Sequence, residues 1–111
     1  MGARDRIGFA RGDGFNVMTK LKSCTMSAQS EFIAELEYAA LRGRPIAGQR
    51  VQGQDNLCFL NYENQNLYYL IDNEEEPVQT VALWIAPSSI TTATAVIVEV
   101  LDRIKNRNTD I

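Results

Sequence analysis

Three successive runs between residues 56 and 85 place apolar side chains on both faces of a predicted strand. They read NLCFLNYE, NLYYLID and VQTVALWI, and turn-forming segments separate them. A sheet with one face in water would alternate apolar with polar residues along each strand. The pattern therefore predicts an antiparallel sheet that needs cover on both faces, either from helices of the same chain or from a partner.

Short links join these three runs. The link Glu63-Asn64-Gln65-Asn66 predicts a tight hairpin, because Asn tolerates the left-handed backbone region. The acidic run Asp72-Asn73-Glu74-Glu75-Glu76-Pro77 predicts a second turn, and Pro77 marks a strand boundary because proline cannot donate to a ladder. We interpret the acidic run as a solvated turn, since it lacks the glycine and terminal glutamate of a calcium loop.

The segment TMSAQSEFIAELEYAALRGRP carries signals for both ends of a helix. Ser27 is the predicted N-cap, Gly43 is the predicted left-handed residue after the last turn, and Pro45 prevents continuation. One apolar stripe follows from helical spacing and consists of Phe32, Ile33, Leu36, Ala39 and Ala40. The predicted helix runs from about residue 28 to residue 42.

The segment from Ile90 to Ile104 contains nine β-branched residues among fifteen, which favours a strand. Its large apolar residues instead recur at helical spacing, and a strand of this length would exceed the usual 3–10 residues. β-Branched residues cost a helix only a few tenths of a kcal/mol each. The segment therefore predicts a second helix over about residues 89–106, with an apolar stripe of Ile90, Thr94, Ile97, Leu101 and Ile104, supported by Ala93 and Val100.

Residues 1–22 are predicted either as a hairpin around Gly12-Asp13-Gly14 or as a partly ordered arm. A short strand around Arg50 is a further possibility. Together these elements predict one α+β domain over residues 1–111: an antiparallel sheet of three to five strands packed by two α-helices, in the order (ββ)-α-β-β-β-α.

The charge is divided unevenly along the chain. Its formal net charge is −3, with eight Lys or Arg against five Asp or Glu in residues 1–50 and three against nine in residues 51–111. An acidic balance argues against a general nucleic-acid binder. The two halves could serve different partners, or they could contact each other within the chain or across a dimer.

The residue types that usually carry catalysis are scarce. The chain has no histidine, and Cys24 and Cys58 form no C-x-x-C motif. No phosphate-binding loop or dinucleotide fingerprint occurs. We therefore predict no catalytic residue, no metal site and no cofactor. No apolar run is long enough for a membrane span and no signal core precedes the fold, so the expected location is the cytoplasm, without membrane contact.

Aromatic residues on the predicted sheet favour a core or a protein interface, because residues 51–85 contain no Lys or Arg that would accompany nucleic-acid stacking. If both helices lie on one side of the sheet, the other face stays uncovered. We predict that this face, with Tyr68, Leu70 and Trp84 or with the opposite set of residues, or else the edge of the sheet, forms the interface of a homodimer or binds another protein. If the helices cover opposite faces, the chain would be a competent monomer.

Two families provide resemblances. The predicted element order from Ile7 to Arg107, with ALWIAPSS leading into a final helix, is similar to the Roadblock family of dimeric regulators of small GTPases, in which the sheets of two chains associate. This resemblance implies a small dimeric regulator or adaptor. No functional residue is transferred from it.

The stretch LRGRPIAG … NLYYLIDNEEEPVQTVALWI resembles the helix-to-sheet region of the RelE/ParE toxins, which implies an RNase or a gyrase-directed activity. Those toxins usually have a helical hairpin where the pattern here predicts one helix, and they are usually basic. A third hypothesis is an acidic inhibitor or immunity protein that covers a basic enzyme.

Overall fold

The computed structural model describes residues 6–12, 14–74, 76–90, 93–105 and 108–109. Within these ranges the chain forms an α+β fold of three helices and a mixed sheet. In chain order the elements are β1 (Ile7–Gly12), β2 (Phe15–Asn16), α1 (Val17–Lys22), α2 (Met26–Arg42), β3 (Gln49–Arg50), β4 (Leu57–Tyr62), β5 (Gln65–Asp72), β6 (Gln79–Pro87), α3 (Ala93–Lys105) and β7 (Asn108–Thr109).

The sheet has six strands in the order β2-β1-β6-β5-β4-β3, and the short β7 also pairs with β1. All neighbours are antiparallel except β1 and β6, which run parallel with Ile7 opposite Thr80. The α+β class is confirmed, but the predicted purely antiparallel sheet of three to five strands with two helices is only roughly right. The parallel pair joins segments far apart in sequence, and α1 is too short to show a helical period, so neither leaves a local signal.

The β4–β5 hairpin is tighter than its predicted link. Tyr62 pairs with Gln65, so the turn consists of Glu63 and Asn64, both with positive φ angles of 50° and 63°. Two consecutive positive φ angles are typical of the hairpin turn that matches the twist of its strands. On the far side of β5, β6 begins at Gln79, two residues after Pro77.

Helix α2 begins two residues earlier than predicted. Thr25, not Ser27, is the N-cap, and its hydroxyl oxygen accepts a hydrogen bond from the Ala28 N–H at 3.1 Å. The hydroxyl of Ser27 contacts that of Tyr62 instead, at 2.6 Å. Gly43 has a φ of 70°, so the predicted left-handed helix end is confirmed. The predicted stripe faces the core: Phe32, Leu36, Ala39 and Ala40 are buried and Ile33 is half-buried.

Helices α2 and α3 cover opposite faces of the sheet. Tyr69 of β5 donates a hydrogen bond to Glu35 of α2. Its neighbour Tyr68 stacks on Trp84 of β6, and the Arg103 guanidinium of α3 lies over the Trp84 ring. Successive residues of a strand point to opposite faces, so the two helices lie on opposite sides. Of the two arrangements considered from sequence, this is the one with both faces covered.

Helix α3 confirms the choice of helix over strand but presents a different stripe. It begins at Ala93 rather than near residue 89, so Ile90 precedes it, and residues 91, 92 and 106 of the predicted helix lie outside the described residues. Val96 and Val100 are buried, whereas Leu101 is 43% exposed. The buried face is therefore rotated by about one residue from the prediction, with Ile97 and Ile104 at its borders.

The N-terminal segment forms the predicted hairpin only in part. Gly12 pairs with Phe15 and Arg11 with Asn16, while Asp13 lies outside the described residues. After Asn16 the chain turns into α1 rather than continuing as a strand, because the Asn16 side chain accepts from the Thr19 N–H at 3.1 Å and caps the helix. The short strand considered around Arg50 is β3, which pairs with β4.

Within the described part of the chain, no helix combines the length and the apolar character that crossing a membrane requires.

Candidate interaction site

The three residues predicted as an interface lie on the α3 side of the sheet. Tyr68 and Trp84 are register partners, and their rings stack with centroids 5.3 Å apart. Leu70 follows two residues after Tyr68 on the same face of β5. Tyr68 is only 4% exposed, whereas Leu70 and Trp84 are half-buried. The single chain therefore already covers much of this surface, and its role as an interface stays a prediction.

A second surface lies at the C-terminal end of α2. Tyr38 and Leu41 are each 55% exposed, and Ile46, which follows the helix, is 47% exposed. Arg42 and Arg44 are exposed beside them. Four of these residues line a hollow of about 380 Å³: Tyr38, Arg42, Arg44 and Ile46. We call Tyr38, Leu41, Arg42, Arg44 and Ile46 the α2 patch.

The end of α2 explains why these side chains meet. Tyr38 and Leu41 are three residues apart and so lie on one helical face, away from the buried stripe. The left-handed backbone at Gly43 ends the helix and reverses the chain. Arg44 and Ile46 then follow within the short connection to β3. An apolar surface with a tyrosine and two arginines is typical of protein interfaces.

A buried carboxylate fixes this connection. Glu35 is 3% exposed, and its side chain accepts hydrogen bonds from the backbone N–H groups of Ile46, Ala47 and Gly48 at 3.0, 2.9 and 3.1 Å. The hydroxyl of Tyr69 donates to the same carboxylate. Four donors surround the carboxylate, so hydrogen bonds stabilise its negative charge and tie the loop to α2.

Close packing adds a second constraint at Gly48. A Cβ atom there would lie 2.7 Å from the Phe59 carbonyl oxygen, so no side chain fits. The loop that carries Ile46 is therefore held from two directions, by hydrogen bonds to α2 and by the backbone of β4. The α2 patch therefore includes a loop that is hydrogen-bonded to α2 and closely packed on β4.

The buried groups beside Glu35 are kept neutral. Burial raises the pKa of the Cys58 thiol to about 11. Burial, and next the hydrogen bond to the Glu35 carboxylate, raise the pKa of the Tyr69 hydroxyl well above its usual range. Cys58 and Tyr69 are fully buried, so neither offers a reactive group to solvent. This cluster stabilises the fold and positions the loop.

An acidic turn adjoins the α2 patch. β5 ends at Asp72, and the turn after it carries Glu74 and Glu76. Asn73 of this turn lies next to Gly43, where a Cβ atom would be 3.4 Å from the Asn73 Oδ1. Neither Arg42 nor Arg44 forms an ion pair with any residue that the structure describes. Basic and acidic surfaces thus lie side by side without neutralising each other.

Sequence reasoning did not identify the α2 patch. A signal was nevertheless present, because Tyr38 and Leu41 are large apolar residues outside the predicted stripe and two arginines follow at once. In the described residues, no group of three or more His, Cys, Asp and Glu side chains could hold a metal ion.

Comparison with known proteins gives no relative: no family model, no curated protein and no solved structure matches this chain.

Proposed function

We propose that the chain is a cytoplasmic, non-catalytic protein-interaction module that forms a homodimer and serves as a small regulator or adaptor. The α2 patch carries this proposal, since it combines three large, half-exposed apolar side chains with two arginines that form no ion pair with a described residue. Tyrosine and arginine are enriched among the residues that dominate binding energy at protein interfaces.

Charge complementarity favours a second copy of the chain as the partner. In a two-fold dimer each surface meets the same set of surfaces on the other chain. Because the α2 patch and the acidic turn adjoin each other, a two-fold axis between them would bring the patch of each chain against the acidic turn of its partner. Arg42 and Arg44 would then face Glu74 and Glu76, and opposite charges would fix the orientation.

The element order supports the same proposal. Apart from the two-residue strands β3 and β7, the chain has two strands, a helical segment, a three-stranded meander and a helix, which is the order that underlies the resemblance to the Roadblock family. The proposed contact differs from the one predicted from sequence, because α3 covers much of the face that carries Tyr68, Leu70 and Trp84.

A charge-swap experiment tests the dimer. Sedimentation equilibrium at micromolar concentration should give twice the 12.4 kDa chain mass for the natural chain. Arg42→Glu/Arg44→Glu and Glu74→Lys/Glu76→Lys should each be monomeric, because like charges then face each other. An equimolar mixture of the two variants should restore a dimer, since both contacts of the mixed pair again join opposite charges. Lys20→Glu/Lys22→Glu, which changes the charge equally on α1, serves as the matched control.

Two outcomes would contradict this arrangement. A natural chain that sediments as a single 12.4 kDa species at every concentration removes the homodimer. A dimer that survives both charge reversals but dissociates in Trp84→Lys, with the fold retained, moves the contact to the α3 side of the sheet.

A second candidate function is a toxin of the RelE/ParE type. The observation in its favour is α1, which precedes α2 after a short link and supplies a second helix where that resemblance calls for a helical hairpin. Growth arrest on induction of the lone gene, together with RNA cleavage or gyrase inhibition, would support this candidate. Normal growth at high expression would support the interaction module.

A further inference from the structure

A cavity of about 380 Å³ opens between α1, β6 and α3, and it shares no residue with the α2 patch. Its polar lining includes Asn16, which is the N-cap of α1, Thr19 and Lys20 of α1, and Arg103 of α3. Trp84 of β6 contributes an aromatic wall. None of the described residues that line the cavity is acidic.

Arg103 is held in place by aromatic rings rather than by carboxylates. Its guanidinium carbon lies 4.4 Å from the centroid of the Phe15 ring and 5.5 Å from that of Trp84. The Arg103 side chain is 17% exposed, and its one ion pair with a described residue joins Nη2 to the half-exposed Glu99 at 3.4 Å. Its buried Nε has no hydrogen-bond partner among the described residues. A largely buried cation with so little compensation favours a nearby anion.

The remaining groups of the cavity are donors. The Asn16 Oδ1 is occupied, because it accepts from the Thr19 N–H. The Asn16 amide nitrogen, the Thr19 hydroxyl and the Lys20 ammonium make no side-chain hydrogen bond to another described residue. Side chains that carry donors therefore line the cavity from α1, from its cap Asn16 and from α3.

We propose that this cavity binds a phosphate group, either as inorganic phosphate or as part of a small organic phosphate. Two cations match the charge of a phosphate dianion, and donors on several sides suit its tetrahedral oxygens better than the planar pair of a carboxylate. The volume admits an organic group beside the phosphate, and the edge of Trp84 offers it an apolar contact. The inference does not depend on the dimer, which uses different residues.

The single tryptophan of the chain reports on the cavity directly. Inorganic phosphate should change the Trp84 fluorescence in a saturable way at constant ionic strength, whereas sodium chloride should not. A second titration uses phenyl phosphate. If phenyl phosphate binds more tightly than inorganic phosphate, the ligand class is a phosphate ester. If the two bind equally, the ligand is free phosphate. In both titrations the backbone amide signals of Asn16, Thr19 and Lys20 should shift in NMR spectra.

Three variants distinguish specific phosphate binding in the cavity from nonspecific electrostatic attraction of anions. Lys20→Gln should weaken phosphate binding by about tenfold because a charge-assisted contact is lost. Lys22→Gln removes the same charge from the same helix outside the cavity lining and should leave the affinity unchanged. Arg103→Gln should abolish binding, and its circular dichroism spectrum shows whether the fold persists.

The proposal is overturned if neither probe gives a saturable fluorescence or NMR response. It is equally overturned if Lys20→Gln and Lys22→Gln weaken binding to the same extent, because the attraction would then follow net charge alone.

Discussion

Glu35 illustrates how one residue connects the core to the surface. Its carboxylate lies inside the protein and accepts the N–H groups of Ile46, Ala47 and Gly48. Glu35→Ala would leave these donors and the Tyr69 hydroxyl without their partner, so the free energy of unfolding should fall by about 3 kcal/mol or more. Urea denaturation monitored by circular dichroism measures the change.

The exposed Glu31, one turn earlier on α2, provides the control for this prediction. Glu31→Ala removes the same charge from the same helix, but it should alter the free energy of unfolding by no more than about 0.5 kcal/mol. Equal effects of the two substitutions would mean that Glu35 acts only through its charge. If only Glu35→Ala lowers the free energy of unfolding, this variant should also weaken the dimer, because the loop that carries Ile46 would lose its hydrogen bonds to α2.

The buried face of α3 allows a prediction at the level of the element. Val100 is fully buried, whereas Leu101 is 43% exposed although it is the larger side chain. Val100→Ala should therefore lower the free energy of unfolding by about 2 kcal/mol and Leu101→Ala by about 0.5 kcal/mol. The stripe predicted from sequence includes Leu101, with Val100 in support, and would make Leu101→Ala costly. The urea midpoints of the two variants therefore decide between the orientations.

Elements whose signals are local could be predicted, and those that depend on distant contacts could not. The end of α2 follows from Gly43 and Pro45, and the β4–β5 hairpin follows from Asn64, because each residue restricts its own backbone. The rotation of α3 escaped prediction because apolar residues occur around most of the helix. The packing of α3 against β6 and β1 decides which of them is buried.

The candidate site was harder to derive than the fold. Tyr68 and Trp84 were rightly placed on one face of the sheet, but nothing in the sequence indicates that Arg103 lies over Trp84. The α2 patch depends on Glu35, a charged residue that a helical pattern assigns to the surface. Its burial becomes understandable only once the loop supplies three backbone donors, and that contact joins residues more than ten positions apart.

The stability of the whole molecule should decrease in alkaline solution. The pKa of the Cys58 thiol is raised in the folded chain from 9.0 to about 11. Between these pH values the unfolded chain releases the thiol proton while the folded chain retains it, so the free energy of unfolding falls as pH rises. The raised pKa of Tyr69 acts in the same direction above pH 10. Below pH 9 neither group contributes to the pH dependence.

Denaturant midpoints measured across this alkaline range check the prediction. Cys58→Ala should flatten the decline between pH 9 and pH 11, whatever its effect on stability at neutral pH. Cys24→Ala offers the comparison, because Cys24 is only half-buried and its pKa is raised less. An unchanged slope in Cys58→Ala would show that the decline comes from other groups.

The parallel pairing of β1 with β6 also has a consequence for the order in which the molecule is completed. A ribosome makes β1 well before β6, yet Ile7, Gly8 and Phe9 of β1 pair with β6, which is not complete until Gln79–Pro87 has been translated. During that interval the hydrogen-bonding groups of the first strand have no partner on that side, and the apolar Ile7 has no finished core to enter. The sheet of the nascent chain therefore lacks its parallel pair until β6 emerges from the ribosome. Only then can β1 form its hydrogen bonds with β6.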